Sequence, residues 1–409
     1  MKGKTGKAIV SLVILSVIGW GFASVSNTKH RFRQENLDYT GTNSLFVESE
    51  DGLKFHWITR EQDHGVYELR SSEGKLIEGG QTEFSRVHSV TIDQKLNRDL
   101  IFMFGGDREE KFEVNLRRAS RDLRATYRNV DSLYVIGDVH GHYDQLIHLL
   151  QHSGIIDEDL SWTAGKSHLV FLGDLFDRGD DVTRVLWFIY GLESQAEKAK
   201  GKVHLVLGNH EIMVMSRDLR YVSRKEQNIA VAHKVSYDRL YHPQRSLLGH
   251  WLSGKPSVLK IDDYLFAHGG ITDLGTSSLD KFNQTAATFM EDPIFLEITR
   301  KHPDSASYDP ERWHLLRDFF FYSNGPFWYR GYVNSDTLGE QLQQTLLRYR
   351  SKVHVVAHTR QENITQKYDG RLLTTDLYEE ATQLLFLKRQ GSDHKAYKID
   401  SLGEISDLD

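Results

Sequence analysis

The chain of 409 residues is 39% hydrophobic, 26% charged and 11% aromatic, a globular composition that excludes a disordered or fibrous polymer. Its formal net charge of -6 gives no reason to expect a bulk electrostatic grip on nucleic acid or anionic lipid. Cysteine is absent, which excludes disulfides, thiolate nucleophiles and cysteine-based metal sites, and leaves any ion to His, Asp, Asn or Glu.

Lys2, Lys4 and Lys7 precede an apolar run over residues 8–23. Gly21 and Ala23 then stand at the small-residue positions of a cleavage site. The pattern predicts a signal peptide over residues 1–23, with an uncleaved anchor as the alternative. The body is then exported, periplasmic or secreted, and meets a membrane only if the segment stays uncut. Residues 24–43 are polar and aperiodic and read as a linker. Over residues 44–113, short apolar alternations such as Leu53-Lys54-Phe55-His56-Trp57 are broken by Gly, Asn and Asp, which predicts a small β-rich domain. Arg117, Arg118, Arg121, Arg124 and Arg128 are spaced for one solvated helix face, a connecting helix over 114–130.

From residue 131 to about 400 the texture changes to strand–loop–helix units. Leu133-Tyr134-Val135-Ile136 is an apolar strand, and Tyr143, Leu146, Ile147 and Leu150 then recur at helical spacing. His168–Leu172 and Val203–Leu207 repeat the pattern, and a helix from about Asp181 lies between them. Such units predict an α/β fold with a buried, largely parallel sheet core. Helical insertions are expected at about 214–255 and 272–325. Strands return near residues 264–267, 353–357, 371–375 and 384–387.

Each early strand runs into a glycine and then into metal-ligand residue types. The loops are Gly137-Asp138-Val139-His140-Gly141, Gly173-Asp174-Leu175-Phe176-Asp177-Arg178-Gly179 and Gly208-Asn209-His210-Glu211. Downstream, His268-Gly269-Gly270 and His358 also follow strands. Ligands gather at strand C-termini in α/β folds, and glycine lets the backbone turn sharply there. A lone Asp-x-His is an ordinary surface pair, but five such loops in order form a site. Mixed carboxylate, imidazole and amide donors suit Mn²⁺, Fe²⁺ or Zn²⁺. The donors suffice for two ions with one bridging carboxylate, the arrangement that clamps in-line displacement at phosphorus. His142, Asp144, His204 and His354 read as structural, and His233, His242 and His250 have no tight ligand spacing.

This set of motifs resembles the calcineurin-like metallophosphoesterases, in their phosphoprotein phosphatase branch, over about residues 131–390. Phe327-Trp328-Tyr329-Arg330-Gly331-Tyr332 and the exported body make it similar to the Shewanella-like phosphatases within that branch. The resemblance implies a four-layer β-sandwich flanked by helices. It implies Asp138, His140 and Asp174 as ligands of one ion, with Asp174 bridging to a second held by Asn209, His268 and His358. It implies His210 as the acid that protonates the leaving oxygen, Asp177 as the carboxylate orienting it, and Arg178 and Arg330 as the phosphate clamp. The implied reaction is in-line attack by metal-held hydroxide on a phosphorylated protein or small molecule, with a lean toward phosphotyrosine. A broad scavenging phosphatase, a phosphodiesterase and a non-catalytic envelope binding protein are the alternatives. The phosphodiesterase is disfavoured because Arg360 stands where such relatives carry a second His. The binding protein is disfavoured because the acid and its partner are intact.

Overall fold

The computed structural model describes residues 44–59, 64–82, 87–93, 99–106, 112–117, 121–300, 309–391 and 393–408. These lie within one compact unit, Tyr39–Asp409. The expected signal segment, and the linker up to residue 43, fall outside the described residues. Among the described residues no helix is long and apolar enough to cross a membrane.

The N-terminal region is a pair of antiparallel sheets. β1 (Phe46–Glu48), β2 (Leu53–Ile58), β3 (Gly65–Ser71), β4 (Leu76–Gln81), β5 (Val87–Ile92), β6 (Leu100–Gly106) and β7 (Phe112–Leu116) pair as β1-β2-β5 and β4-β3-β6-β7. Alternation aims Phe55 and Trp57 of β2 and Phe102 and Phe104 of β6 inward, where all four are fully buried. Phe55 and Phe102 stack across the two sheets, as buried aromatics joining separate sheets do. β7 ends three residues beyond the expected boundary at 113.

The connecting helix expected over 114–130 does not form among the described residues. Leu116 closes β7, and β8 (Thr126–Tyr127) is a short strand instead. Arg117, Arg121 and Arg124 take partners at separate places rather than lining one helix face. Arg117 pairs with Glu193 at 2.7 Å, Arg121 pairs with Glu291, and Arg124 donates to its neighbour Thr126 O. Helical spacing of charges carries no information about where their counter-charges lie.

The body is a sandwich of two mixed six-stranded sheets. The strands β9 (Ser132–Ile136), β10 (His168–Phe171), β11 (Lys202–Leu205), β12 (Val258–Ile261), β13 (Tyr264–Ala267), β14 (Val353–Val356), β15 (Thr365–Lys367), β16 (Leu372–Thr374), β17 (Gln383–Gln390), β18 (Asp393–Asp400) and β19 (Ile405–Asp407) complete it. One sheet has the order β11-β10-β9-β17-β18-β19, the other β15-β16-β14-β13-β12-β8. Only β11-β10-β9, β13-β14-β16 and β12-β8 are parallel pairings, so the sheets are more mixed than the βα pattern predicts. β19 also extends the body past residue 400, and β8 joins it before 131. Val135, Val170, Leu385 and Leu387 face Leu259, Phe266, Val355 and Leu373 in one buried core. Each contributor lies at every second position of its strand, the expected pattern for sheets packed face to face.

Helices cover the sandwich. α1 (Tyr143–His152) packs on α2 (Val182–Lys198), and α2 packs on β11. α3 (Asn209–Met215) continues the loop after β11; the first insertion holds α4 (Arg224–Ala232), α5 (Tyr237–Leu240) and α6 (Leu247–Ser253), and the second holds α7 (Leu279–Glu291) and α8 (Pro310–Phe321). Helices start at good caps: Ser223, Ser246, Ser278 and Asp309 each accept a main-chain N–H of the first turn. β1 lies against α5 and α6, and Trp187 Nε1 of α2 donates to Leu45 O beside it. The N-terminal sheets thus sit on the helical coat, and the parallel strand ends carry the loops described next.

Candidate metal centre

The loops after β9, β10, β11, β13 and β14 converge at one edge of the sandwich, so every ligand expected from the sequence meets in one place. Two glycines allow the approach. A Cβ on Gly137 would lie 2.2 Å from Thr375 O, and one on Gly208 would lie 2.3 Å from Asp174 Oδ1. The ligands themselves bend the chain: φ is +48° at His140, +52° at Asp174, +70° at Asp177, +65° at Arg178 and +66° at His358. Left-handed backbone at non-glycine residues is unfavourable, and its clustering here marks a site the surrounding fold must enforce.

Glu211 supplies much of that enforcement. Its buried carboxylate accepts the amides of Asp174 (2.8 Å), Leu175 (2.7 Å) and Gly208 (2.7 Å), joining the loops after β10 and β11. Asp174 Oδ1 accepts the His210 amide at 2.9 Å, which turns Oδ2 toward the imidazoles. That oxygen lies 3.2 Å from His268 Nε2 and 3.8 Å from both His140 Nε2 and His210 Nε2.

The tautomers follow from main-chain carbonyls. His140 Nδ1 pairs with Phe176 O at 2.7 Å, His268 Nδ1 with Leu172 O at 2.7 Å, and His358 Nε2 with Trp328 O at 3.1 Å. Each carbonyl is placed to take one N–H and leaves the other nitrogen facing inward, the arrangement that orients metal-ligating imidazoles. His140 Nε2 is buried with no hydrogen-bond partner. It faces Asp138 Oδ2 at 3.5 Å. His268 Nε2 meets Asn209 Oδ1 at 2.9 Å, His358 Nδ1 at 3.1 Å and Asp174 Oδ2, more acceptors than one proton can serve. His140, Asp174 and His210 form one cluster of ligand spacing and Asp174, His268 and His358 another, with Asp174 common to both. The donor set therefore fits divalent metal. In the absence of an ion, burial opposes protonation of His268, but Asp174 and Asp138 overcome it and raise it to about 9. Burial and the neighbouring His268 push His358 down to about 3. Metal binding would displace the His268 proton.

Beside this cluster, His210 Nδ1–H donates to Asp177 Oδ2 at 2.5 Å. Burial opposes charge on His210, but Asp174 and the Asp177 hydrogen bond outweigh it and raise its proton affinity. Arg178 is half-exposed, 3.7 Å from Glu380, which also holds Arg360 at 2.5 Å. Arg330 donates to His358 O, within the field of Asp138 and Asp174. His354 and His204 are satisfied within the core, the former by Leu265 O and the Ile271 amide, the latter by His168. His233 bonds to Ser44 O rather than to its insertion neighbours.

Two acids here were not singled out in the sequence. Glu211 stands in the Gly208 loop, but its work is done on backbone amides, which no motif spells out. Asp376 follows β16, and burial with repulsion from Asp138 and Asp174 pushes its carboxyl up to about 9. It follows a strand end, but a single acid there forms no motif.

Residues 132–360 match the model of the calcineurin-like phosphoesterases. The chain belongs to that family. It is 30% identical over 236 residues to Shewanella-like protein phosphatase 1 of Plasmodium berghei, covering 56% of this chain and 61% of that protein. It is 37% identical over 103 residues to Shewanella-like protein phosphatase 2 of Arabidopsis thaliana, 25% of this chain and 26% of that one. The chain thus spans less than two thirds of these curated relatives. A solved structure, the cold-active protein-tyrosine phosphatase of a psychrophilic Shewanella species, superposes with a TM-score of 0.68 at 28% identity, covering 90% of this chain and 98% of that one. The fold shared with these relatives is the metallophosphoesterase sandwich.

Proposed function

We propose that this calcineurin-like phosphoesterase hydrolyses phosphate monoesters, with phosphotyrosine in proteins as the favoured substrate. The observation that carries the reading is the inward-facing ring nitrogen of each of His140, His268 and His358 around Asp138, Asp174 and Asn209, with His210 held by Asp177 beside them. Two divalent ions, manganese being our first choice, would be held by Asp138, His140 and Asp174 and by Asp174, Asn209, His268 and His358. Bound there, they supply positive charge for the phosphate and lower the pKa of water.

This chain's own residues do the rest. Asp177 fixes His210 with its Nδ1–H committed, so Nε2 is the atom that delivers a proton to the leaving oxygen. The Asp177 hydrogen bond raises the proton affinity of His210, which suits it to carry that proton. Arg178 exchanges its loose contact with Glu380 for two phosphate oxygens, a geometry its planar fork matches. Arg330, already against the His358 carbonyl, neutralises charge from the other side. The tyrosine preference draws support from the Shewanella relative, named for that activity.

The test is a substrate panel with Mn²⁺ supplied, comprising phosphotyrosine, phosphoserine and phosphothreonine peptides, a nucleoside monophosphate and a phosphodiester. Monoester hydrolysis abolished by chelation, fastest on phosphotyrosine, is the expected result. Equal rates on all monoesters would replace the preference with a scavenging role, and cleavage of the diester alone would overturn the reading.

A further inference from the structure

The leaving group must exit past His210. On the reading above its oxygen would meet Nε2, because Nδ1 is taken by Asp177, and the group attached to that oxygen would leave alongside the imidazole. One half-exposed aromatic ring packs on that imidazole. The ring of Tyr221 packs on His210 with centroids 5.5 Å apart and planes at 54°, and it is 49% exposed.

Tyr221 is fixed from three directions. Its main-chain oxygen accepts the Arg178 amide at 3.0 Å, which ties this loop of the first insertion to the phosphate-clamp loop. The Arg220 guanidinium lies 5.5 Å from the ring centroid. Arg220 is in turn held by both carboxylate oxygens of Asp218, at 2.8 and 2.7 Å. A large ring tilted against the acid with much of its surface in water has no core to fill. Trp328 is another aromatic at the centre, but it stands edge-on to His358 with its Nε1–H donated to Phe320 O, against a metal-side imidazole.

We propose that Tyr221 is the platform on which an aromatic leaving group stacks, and so the residue that favours phosphotyrosine over phosphoserine. This rests on the phosphomonoesterase reading above. The phenol ring of a tyrosyl leaving group carries a flat apolar face directly beyond its oxygen. A seryl group has a single methylene before the peptide backbone and presents nothing for the ring to cover. Offset and tilted ring pairs discriminate modestly, by a factor of about three to ten. The roles of side chain and backbone are separable here, because the Arg178 tie uses the Tyr221 carbonyl.

The experiment compares kcat/KM on two peptides of one sequence carrying phosphotyrosine or phosphoserine, using the Mn²⁺-loaded full chain and its Tyr221→Leu and Tyr221→Phe variants. The expected result is that Tyr221→Leu lowers the tyrosine-to-serine ratio about three- to tenfold, while Tyr221→Phe, which keeps the ring, keeps the ratio. Equal loss on both peptides would mean that Tyr221 only props His210 and would overturn the proposal, as would an unchanged ratio in Tyr221→Leu. Inhibition of the unaltered enzyme by benzylphosphonate against ethylphosphonate reads the same contact without a substitution, and equal potency would also overturn it. An unaltered enzyme inactive on both peptides would fail at the earlier step and take the phosphomonoesterase reading down with this one.

Discussion

Buried histidines occur in both the N-terminal sheets and the body, and the difference between them separates structure from chemistry. His88 of β5 is buried among aromatic rings, yet each of its nitrogens meets a hydroxyl, Thr59 Oγ1 at 2.6 Å and Thr82 Oγ1 at 2.7 Å. Burial pushes it down to about 4, so it stays neutral. His140 is equally buried, but only one nitrogen is satisfied and the other faces carboxylates. The first arrangement closes a hydrogen-bond network and the second leaves a lone pair available. The same contrast holds for backbone, since the left-handed residues of the body include five in the site loops.

Variants at the two places should break this contrast or sharpen it. The largest effect belongs to Asp174→Asn, which removes the carboxylate common to both clusters. Metal content measured by atomic emission should collapse and turnover should fall by more than about a thousandfold. A variant that retained two ions per chain would contradict the shared-ligand assignment. His210→Asn should lower kcat by about a hundred- to a thousandfold with metal content intact, which separates proton delivery from metal holding.

Phe102→Ala tests the other region. It should lower unfolding free energy by about 3–5 kcal/mol in urea titrations, while kcat of the folded fraction stays unchanged. A fall in kcat would show that the N-terminal sheets reach the site. The smallest effect concerns Glu226, buried on α4, which accepts the Thr183 amide and hydroxyl at the start of α2. Burial pushes its carboxyl up to about 7 from 4.5, despite those bonds. A raised carboxyl pKa means that the folded state binds the proton more tightly. Its contribution is therefore present at low pH and is lost as pH rises from about 4.5 to about 7. Glu226→Gln should flatten that decline, by at most about 3 kcal/mol, in urea midpoints measured across the interval.

The ligand set was legible because each ligand follows a strand rich in apolar residues and four of the five loops carry a glycine of their own. Strand ends collect ligands whatever the loops' later course, so Asp138, Asp174, Asn209, His268 and His358 could be placed before their neighbours were known. Asp376 was not, because a single acid after the three-residue strand β16 has no local pattern. The body strands near 133, 168 and 264 were visible as apolar runs. β18, with Asp393, Lys395 and Lys398 on it, was not, because a strand near the sheet edge buries little. Arg117–Arg128 misled for a related reason: charge spacing reports a periodicity but not a partner.

The Glu211 carboxylate has one more consequence. By gripping the amides of Asp174, Leu175 and Gly208 together, it sets the spacing between ligands of two different loops before any ion arrives. A cage shaped in advance from oxygen and nitrogen donors has little freedom to close more tightly on one divalent ion than on another of similar radius. First-row metals then compete largely on intrinsic affinity and supply. Which metal occupies this protein would accordingly follow the medium in which it folds, and the same chain prepared in different media should carry different ions.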